Sequence, residues 1–298
     1  MPFNPNQLCG WGGRKLAVEA NAYLGMKPLA YYGLPRDAKT THLWDFAKKV
    51  TGGHLPNYRQ EIGDCVSFGM KNVIQYLQCV QIAQGQRFEY HHVFPPYIYG
   101  VSRHNIGGDR LGNSDGSLGS WAAEGVRKYG ILFADDKDVP PYSGSVATKW
   151  GSRSGPPDFT YQLAKDNLVK STAKVTTFDE AAAAISNGYP VTVASDVGFA
   201  GNNMQGQVQN GKLWERASGS WGHQMCFIGV DMNDRSMFCL NSWGSDLWSN
   251  QPDGAPPGGF WISERDANRI LGQDDSWACS QFDGFPAQKL EHWIGPHD

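Results

Sequence analysis

The sequence contains no pair of cysteines spaced CxxC, no basic run and no apolar stretch approaching the roughly 20 residues of a membrane span. The first absence excludes a zinc knuckle and a dense disulfide frame. Six cysteines, at positions 9, 65, 79, 226, 239 and 279, are scattered singly, which is the pattern of free thiols in a reducing compartment. The second, with a formal net charge of -3, excludes a nucleic-acid partner, because nothing is available to neutralise phosphates. The third excludes a membrane partner. The opening MPFNPNQLCGWGG also lacks the charged and apolar regions of a signal peptide, so no export is expected. Metal ligands are scarce too: His91 and His92 are adjacent and point to opposite sides of an extended stretch, and neither they nor His104 has a carboxylate at helical spacing. No metal and no cofactor is expected.

What is present is core. Hydrophobic residues make up 40% of 298 positions, with 11 Trp, 12 Tyr and 14 Phe, enough for a substantial globular interior. Residues 1–54 read as an extension packing on the main domain, 55–298. The extension carries two short helical candidates, GRKLAVEANAYLGM and THLWDFAKKV, around a Gly/Pro-containing connector. It has no long charged helix and reads as permanent structure. From Cys65 to about Gln84, apolar residues at Val66, Met70, Val73, Ile74, Leu77 and Val80 recur at helical spacing, predicting one buried face. Further helices are expected over Ser120 to Tyr129 and near 178–187. Then the pattern changes: PVTVAS, HQMCFIGVDM, SMFCLN and GGFWIS are short runs bounded by turn residues, the signature of antiparallel sheet. Helices first and strands afterwards predict an α+β fold of two lobes. SGSVATKWGSRSGPPD, 143–158, reads as an exposed loop, and the aromatic FEYHHVFPPYIYG as packing.

Cys65 begins the long helical pattern, directly after Gly63-Asp64. A helix N-terminus favours a thiolate through its unpaired N–H groups and dipole, which makes Cys65 the nucleophile candidate among the six. A nucleophile needs an oriented base. The turn MNDRS folds the flanking strands back, so that His223 and Asn241 become neighbours although 18 positions apart. The expected arrangement has the Asn241 carboxamide accepting from Nδ1 and leaves Nε2 free for the thiol.

CLNSWGSDLW resembles the asparagine motif of papain-like cysteine peptidases, matching Asn-Ser-Trp-Gly at Asn241, Ser242, Trp243 and Gly244. GHQMCFIGVD is similar to that family's histidine strand, GGFWIS to the strand after its asparagine loop, and DGSLGSWAAEGVRKYGI and VPPYSG to left-lobe landmarks. The likeness spans about residues 55–270. It implies a papain-like two-lobed fold, a helical left lobe around Cys65 and an antiparallel β-sheet right lobe around His223 and Asn241. It also implies thiol-dependent hydrolysis of a peptide or isopeptide bond through an acyl-enzyme, on a peptide or protein substrate. Trp243 would shield the His223 to Asn241 contact, and Gln60 would donate to the oxyanion beside the Cys65 N–H. Ser117, Leu118, Ala194 and Gln224 would contact substrate.

The departures are specific. Gln60 stands five positions before Cys65 where the family has six, and Arg59 fills the sixth. Asp64 replaces a small residue: it is placed to cap the helix, while its charge would oppose a thiolate. Val66 replaces a Trp. The cysteines of the family's secreted members are absent at Ile62 and around Asp115-Gly116-Ser117-Leu118, the pattern expected of a bacterial or phage member in a bacterial cytoplasm or virion. Two alternatives stay open: amide hydrolysis in cell-wall peptide, and a catalytically weak structural component with a protein assembly or virion partner.

Overall fold

The computed structural model describes residues 4–35, 37–87 and 89–290. In chain order the elements are α1 (Arg14–Leu24), β1 (Thr41–His42), α2 (Leu43–Thr51), α3 (Cys65–Ala83), α4 (Pro95–Gly100), α5 (Gly119–Lys128), α6 (Gly144–Trp150) and α7 (Asp158–Ala164). There follow β2 (Ser171–Lys174), α8 (Phe178–Ser186), β3 (Val191–Val197), β4 (Gln207–Gln209), β5 (Lys212–Trp214), β6 (Ser220–Asp231), β7 (Ser236–Leu240), β8 (Gly259–Ser263), α9 (Glu264–Leu271) and β9 (Asp275–Ser280). The strands form one sheet in the order β2-β9-β3-β6-β7-β8-β5-β4, with β1 on β6. Its named pairings are antiparallel except for one parallel bridge, Trp214 to Trp261, between β5 and β8, so the sheet is mixed rather than wholly antiparallel. The fold is α+β, with helices α3 to α7 preceding most of the sheet.

The central helix α3 is buried on every face from Cys65 to Gln81, not on the single face its periodicity predicted. Two of its buried glutamines are tolerated because partners meet them. Gln75 donates to the Tyr90 hydroxyl at 2.7 Å and accepts from Val93 N at 3.1 Å, while Gln78 exchanges hydrogen bonds with the His91 backbone. Gly69 of α3 faces β6, and a Cβ there would lie 2.9 Å from the Gln224 side chain and 3.1 Å from Met225 O. The missing side chain therefore brings the β6 backbone close to the first turns of α3, and the Gln224 N–H, next to His223 in β6, reaches the Cys65 sulfur.

The stretch 143–158, read as a loop, contains α6. Ser143 caps it by accepting from Val146 N at 3.3 Å, and the buried Trp150 packs edge-on against Phe94 with centroids 5.3 Å apart. A single buried ring anchors a turn that polar composition hides.

Ahead of the main body, α1 is tied to the β9 end by Arg14 to Asp274 at 3.2 Å and Asn21 Nδ2 to Asp274 O at 2.6 Å. Trp44 of α2 stacks on His42 and meets Phe238 and Trp261 at 4.9 and 6.0 Å. Truncating a buried ring of that size typically costs about 3–5 kcal/mol, so α2 is firmly docked.

Candidate active site

The β6–β7 hairpin aligns Cys226 with Leu240, so His223 lies close to Asn241 just past the end of β7. His223 Nε2 is 2.7 Å from Asn241 Oδ1, which also accepts from Ser242 N at 2.6 Å. An oxygen that already accepts from a backbone amide fixes Nε2 as the ring's donor and leaves the Nδ1 lone pair free. The expected orientation is thus reversed: Nδ1, buried and without a hydrogen-bond partner, is the nitrogen available for proton transfer. Trp243 lies over the ring at 4.6 Å, with Trp221 4.9 Å behind it, so the His–Asn contact sits in an aromatic enclosure.

Cys65 is fully buried at the first position of α3. Burial pushes its thiol far up, the Cys9 thiol alongside adds to the rise, and the backbone N–H groups of Gln224 and Gly10 work against it. His223 is lowered to about 4 by burial, with its Asn241 bond opposing. Thiol and neutral imidazole are therefore the stable pair at neutral pH, not the thiolate that the helix N-terminus alone implied. Desolvation outweighs the dipole here, since a helix terminus contributes about 0.3–1 kcal/mol at exposed sites and up to roughly 2 in buried geometry. Asp64 makes no side-chain cap; its Oδ2 accepts from the Tyr142 hydroxyl at 3.1 Å. Burial raises its carboxyl well above the ordinary range, which weakens the expected repulsion beside the thiol.

The source of this burial is the chain's own N-terminal segment. Residues 1 to about 50 were expected as a brace, and α1 packs as one, but residues 8–12 lie in the cleft. Gln60 Nε2 donates to Leu8 O at 2.7 Å and to Ile62 O at 2.9 Å. Ser117 N donates to Gly10 O at 2.7 Å, Gly12 N donates to Ser117 O at 2.9 Å, and Trp11 N donates to Gly222 O at 3.0 Å. Both walls of the cleft are thus paired by one extended stretch. Gly10 is compulsory at this approach, because a Cβ would stand 1.8 Å from Gly63 O.

Trp11, only 9% exposed, packs with Leu118, Trp121 and Ala194. Its Nε1 donates to Asp275 Oδ2 at 2.8 Å, and the same carboxylate accepts from Gly119 N, Ser120 N and Trp277 Nε1, each at 2.8 Å. Of the four expected substrate contacts, Ser117, Leu118 and Ala194 meet the segment. Gln224 turns its amide inward, donating to Val66 O at 3.1 Å and Thr192 Oγ1 at 2.6 Å. Asp275 and Gly222 were missed from sequence. The glycines around Trp11 in CGWGG carry a readable signal of close backbone approach, whereas nothing local marks Asp275.

Gln60 is oriented from the asparagine loop. Ser242 Oγ donates to its Oε1 at 2.6 Å and Gln60 N donates to Ser242 O at 3.0 Å, which turns Nε2 to Leu8 O and Ile62 O. If Nε2 stabilises an oxyanion, Gln60→Ala in an opened chain should lower kcat about 100- to 1000-fold with little change in KM. Steady-state kinetics on a fluorogenic peptide decide this, and an unchanged kcat would remove Gln60 from the reaction.

No protein-family model and no curated protein sequence matches the chain. Solved structures do: the fold is papain-like. It resembles xylellain, a cysteine protease from Xylella fastidiosa, at TM-score 0.57 and 18% identity over 92% of this chain and 91% of that one. It also resembles the Amb a 11 cysteine protease of ragweed pollen in its proform, at TM-score 0.60 and 16% identity over 93% of this chain and 77% of that one. Bromelain from Ananas comosus matches at TM-score 0.52 and 15% identity, covering 82% and 99%.

Proposed function

We propose that the chain is a cysteine peptidase of the Cys-His-Asn type, held latent by its own residues 8–12. The observation that carries the reading is the peptide already in the cleft, whose backbone pairs with Ser117 and Gly222 and whose Leu8 carbonyl takes the Gln60 amide. A groove that holds one extended segment by backbone hydrogen bonds has the chemistry to hold another. The segment presents the Gly10 N–H to the sulfur. An N–H turned to the sulfur is a donor rather than an electrophile, so in this pose the segment occupies the site as a hydrogen-bond partner of the thiol.

With a substrate in its place, Cys65 Sγ attacks the amide carbon while its proton passes to His223 Nδ1. The Gln60 amide and the Cys65 N–H hold the oxyanion, and His223 returns the proton to the departing amine. Water, deprotonated by the same imidazole, then hydrolyses the thioester. Asn241 keeps the ring turned so that Nδ1 faces the sulfur. The Trp11 site indicates the substrate class: a peptide with an aromatic side chain bearing a donor, which Asp275 receives.

Acid should open the cleft. A histidine at about 4 in the closed form, against 6.5 when hydrated, takes up a proton on opening between those values. Through His223 the closed form is most stable above about pH 6.5 and loses at most about 3 kcal/mol as the pH drops toward 4, while the raised carboxyls of Asp64 and Asp275, protonated more readily when buried, act in the opposite sense. At pH 4.5 the His223 contribution should raise the open fraction by up to about 60-fold over pH 7. Hydrogen exchange of the Trp11 and Gly12 amides, corrected for intrinsic rates, measures this. Cleavage of an internally quenched library of Trp- and Tyr-containing peptides by the acid-opened chain, absent in Cys65→Ala, tests the activity. Opening without cleavage would return the chain to the reading as a structural component.

A further inference from the structure

On the other side of the oxyanion loop, away from Cys65, His223 and Asn241, lies a cavity of about 400 Å³. Tyr58, Phe68, His92, Pro140, Pro141 and Tyr142 contribute to its walls, and Lys71 of α3 lines it from within. Lys71 is 2% exposed. Its Nζ has one hydrogen-bond partner, Asn72 Oδ1 at 3.3 Å, and stands 5.1 and 5.9 Å from the centres of the Tyr58 and Phe68 rings. Among the described residues no carboxylate pairs with it. Burial lowers it to about 8, with the Cys226 thiol the one nearby group that raises it, so it is still mostly an ammonium at neutral pH. His92 in the same wall is lowered by burial and by the charge of Lys71, with Asp135 opposing. Arg59, bound to Trp243 O at 3.0 Å and to Asp246 at 3.5 Å, stands at the rim.

A buried ammonium without an anion is costly, and helical proteins seldom retain one that apolar residues of similar volume could replace. We propose that this cavity is a binding site for a monocarboxylate carrying an aromatic or branched apolar body, its carboxylate on Lys71 and its body against the rings and prolines. A single buried cation suits a single negative charge, and the rings and prolines of the wall suit an apolar body. The volume falls in the range of small-molecule sites, roughly 300–1000 Å³. Tyr142 connects it to the reaction: its hydroxyl donates to Asp64 and accepts from Glu61 N at 2.8 Å, so an occupant rests against the loop that leads into Cys65. The site stands whether or not the chain is a peptidase.

Titration calorimetry on the full chain with 3-phenylpropionate tests it, with 3-phenylpropanol as the neutral counterpart. In a Cys65→Ala background, a short peptide ending in phenylalanine, compared with its C-terminal amide, separates a free small acid from a peptide terminus as the source. The expected result is saturable binding of one acid per chain, at least about tenfold weaker for the alcohol and for Lys71→Met. Lys71→Met should fold at least as well as the parent, since it removes a buried charge. Ala134→Trp, which fills the cavity from its exposed rim, should abolish binding in a chain whose core is untouched. No heat up to about 10 mM acid, equal affinity for the alcohol, or unchanged binding in Lys71→Met would each overturn the proposal.

Discussion

Gly10→Val should turn a nearly silent chain into an active one, with peptide turnover at neutral pH rising about 100-fold or more. The backbone at Gly10 passes so close to the Gly63 carbonyl that a Cβ would stand 1.8 Å from its oxygen, and Gly116 faces the same residue with its own Cβ position 2.4 Å from Gly10 O. No rotamer relieves a clash between a Cβ and a backbone atom. The segment must therefore withdraw, forfeiting its pairing with Ser117 and Gly222 and the burial of Trp11. Overpacking of a fitted contact costs about 1–3 kcal/mol even where neighbours can shift, and here both neighbours are backbone. Rates on a fluorogenic peptide are the readout. A cooperative thermal transition retained at a somewhat lower midpoint would separate withdrawal from unfolding, and a peptide of residues 4–14 added in trans should restore inhibition. Activity no higher than the parent's in a folded Gly10→Val chain would refute latency through this segment.

In that opened background, Cys65→Ala and His223→Ala should each cost about 10⁴-fold or more in kcat/KM, and the double variant little beyond either one, because the two act as a unit. Asn241→Ala should leave a measurable residue. Its Oδ1 turns the ring and fixes the proton on Nε2, but it exchanges nothing with substrate. Loss of the orienting group yields the wrong tautomer part of the time rather than no base. The same series should change Cys65 labelling by iodoacetamide. In the closed parent the buried thiol should resist at neutral pH, whereas in Gly10→Val it should react below pH 8 and lose that reactivity with His223. Equal turnover in Cys65→Ala and its parent would end the thiol mechanism.

The residues that could be found in the sequence were those whose partners are named by local pattern. A helix beginning at Cys65, and a hairpin turn that carries His223 to Asn241, are each short-range statements, and α3, β6 and β7 start and stop within a few residues of expectation. The hairpin places His223 beside Asn241 but does not say which ring nitrogen turns to it; that depends on the side-chain torsions of His223 and on Ser242 N fixing the Asn241 oxygen. Thiol ionisation was misjudged for a related reason: a helix terminus can be read from sequence, but the lid that dries it comes from residues about 55 positions upstream. Asp275 shows the limit most clearly. It collects two indoles and the first two amides of α5 from three places in the chain, two of them more than 150 positions away, and nothing local foretells those.

Arg14 and Asn21 hold α1 to the β9 end through contacts that do not involve residues 8–12, and Gly12 and Gly13 join the two parts. Gly13 has φ of 90° and open space around it, so the segment can swing there without undocking the helix. On the latency reading, the blocking peptide is tethered a few residues from its site, at an effective local concentration in the millimolar range. Dilution leaves that concentration unchanged. Any substrate must outcompete it, and a single cut in the short linker before α1 would convert a permanent competitor into one that diffuses away.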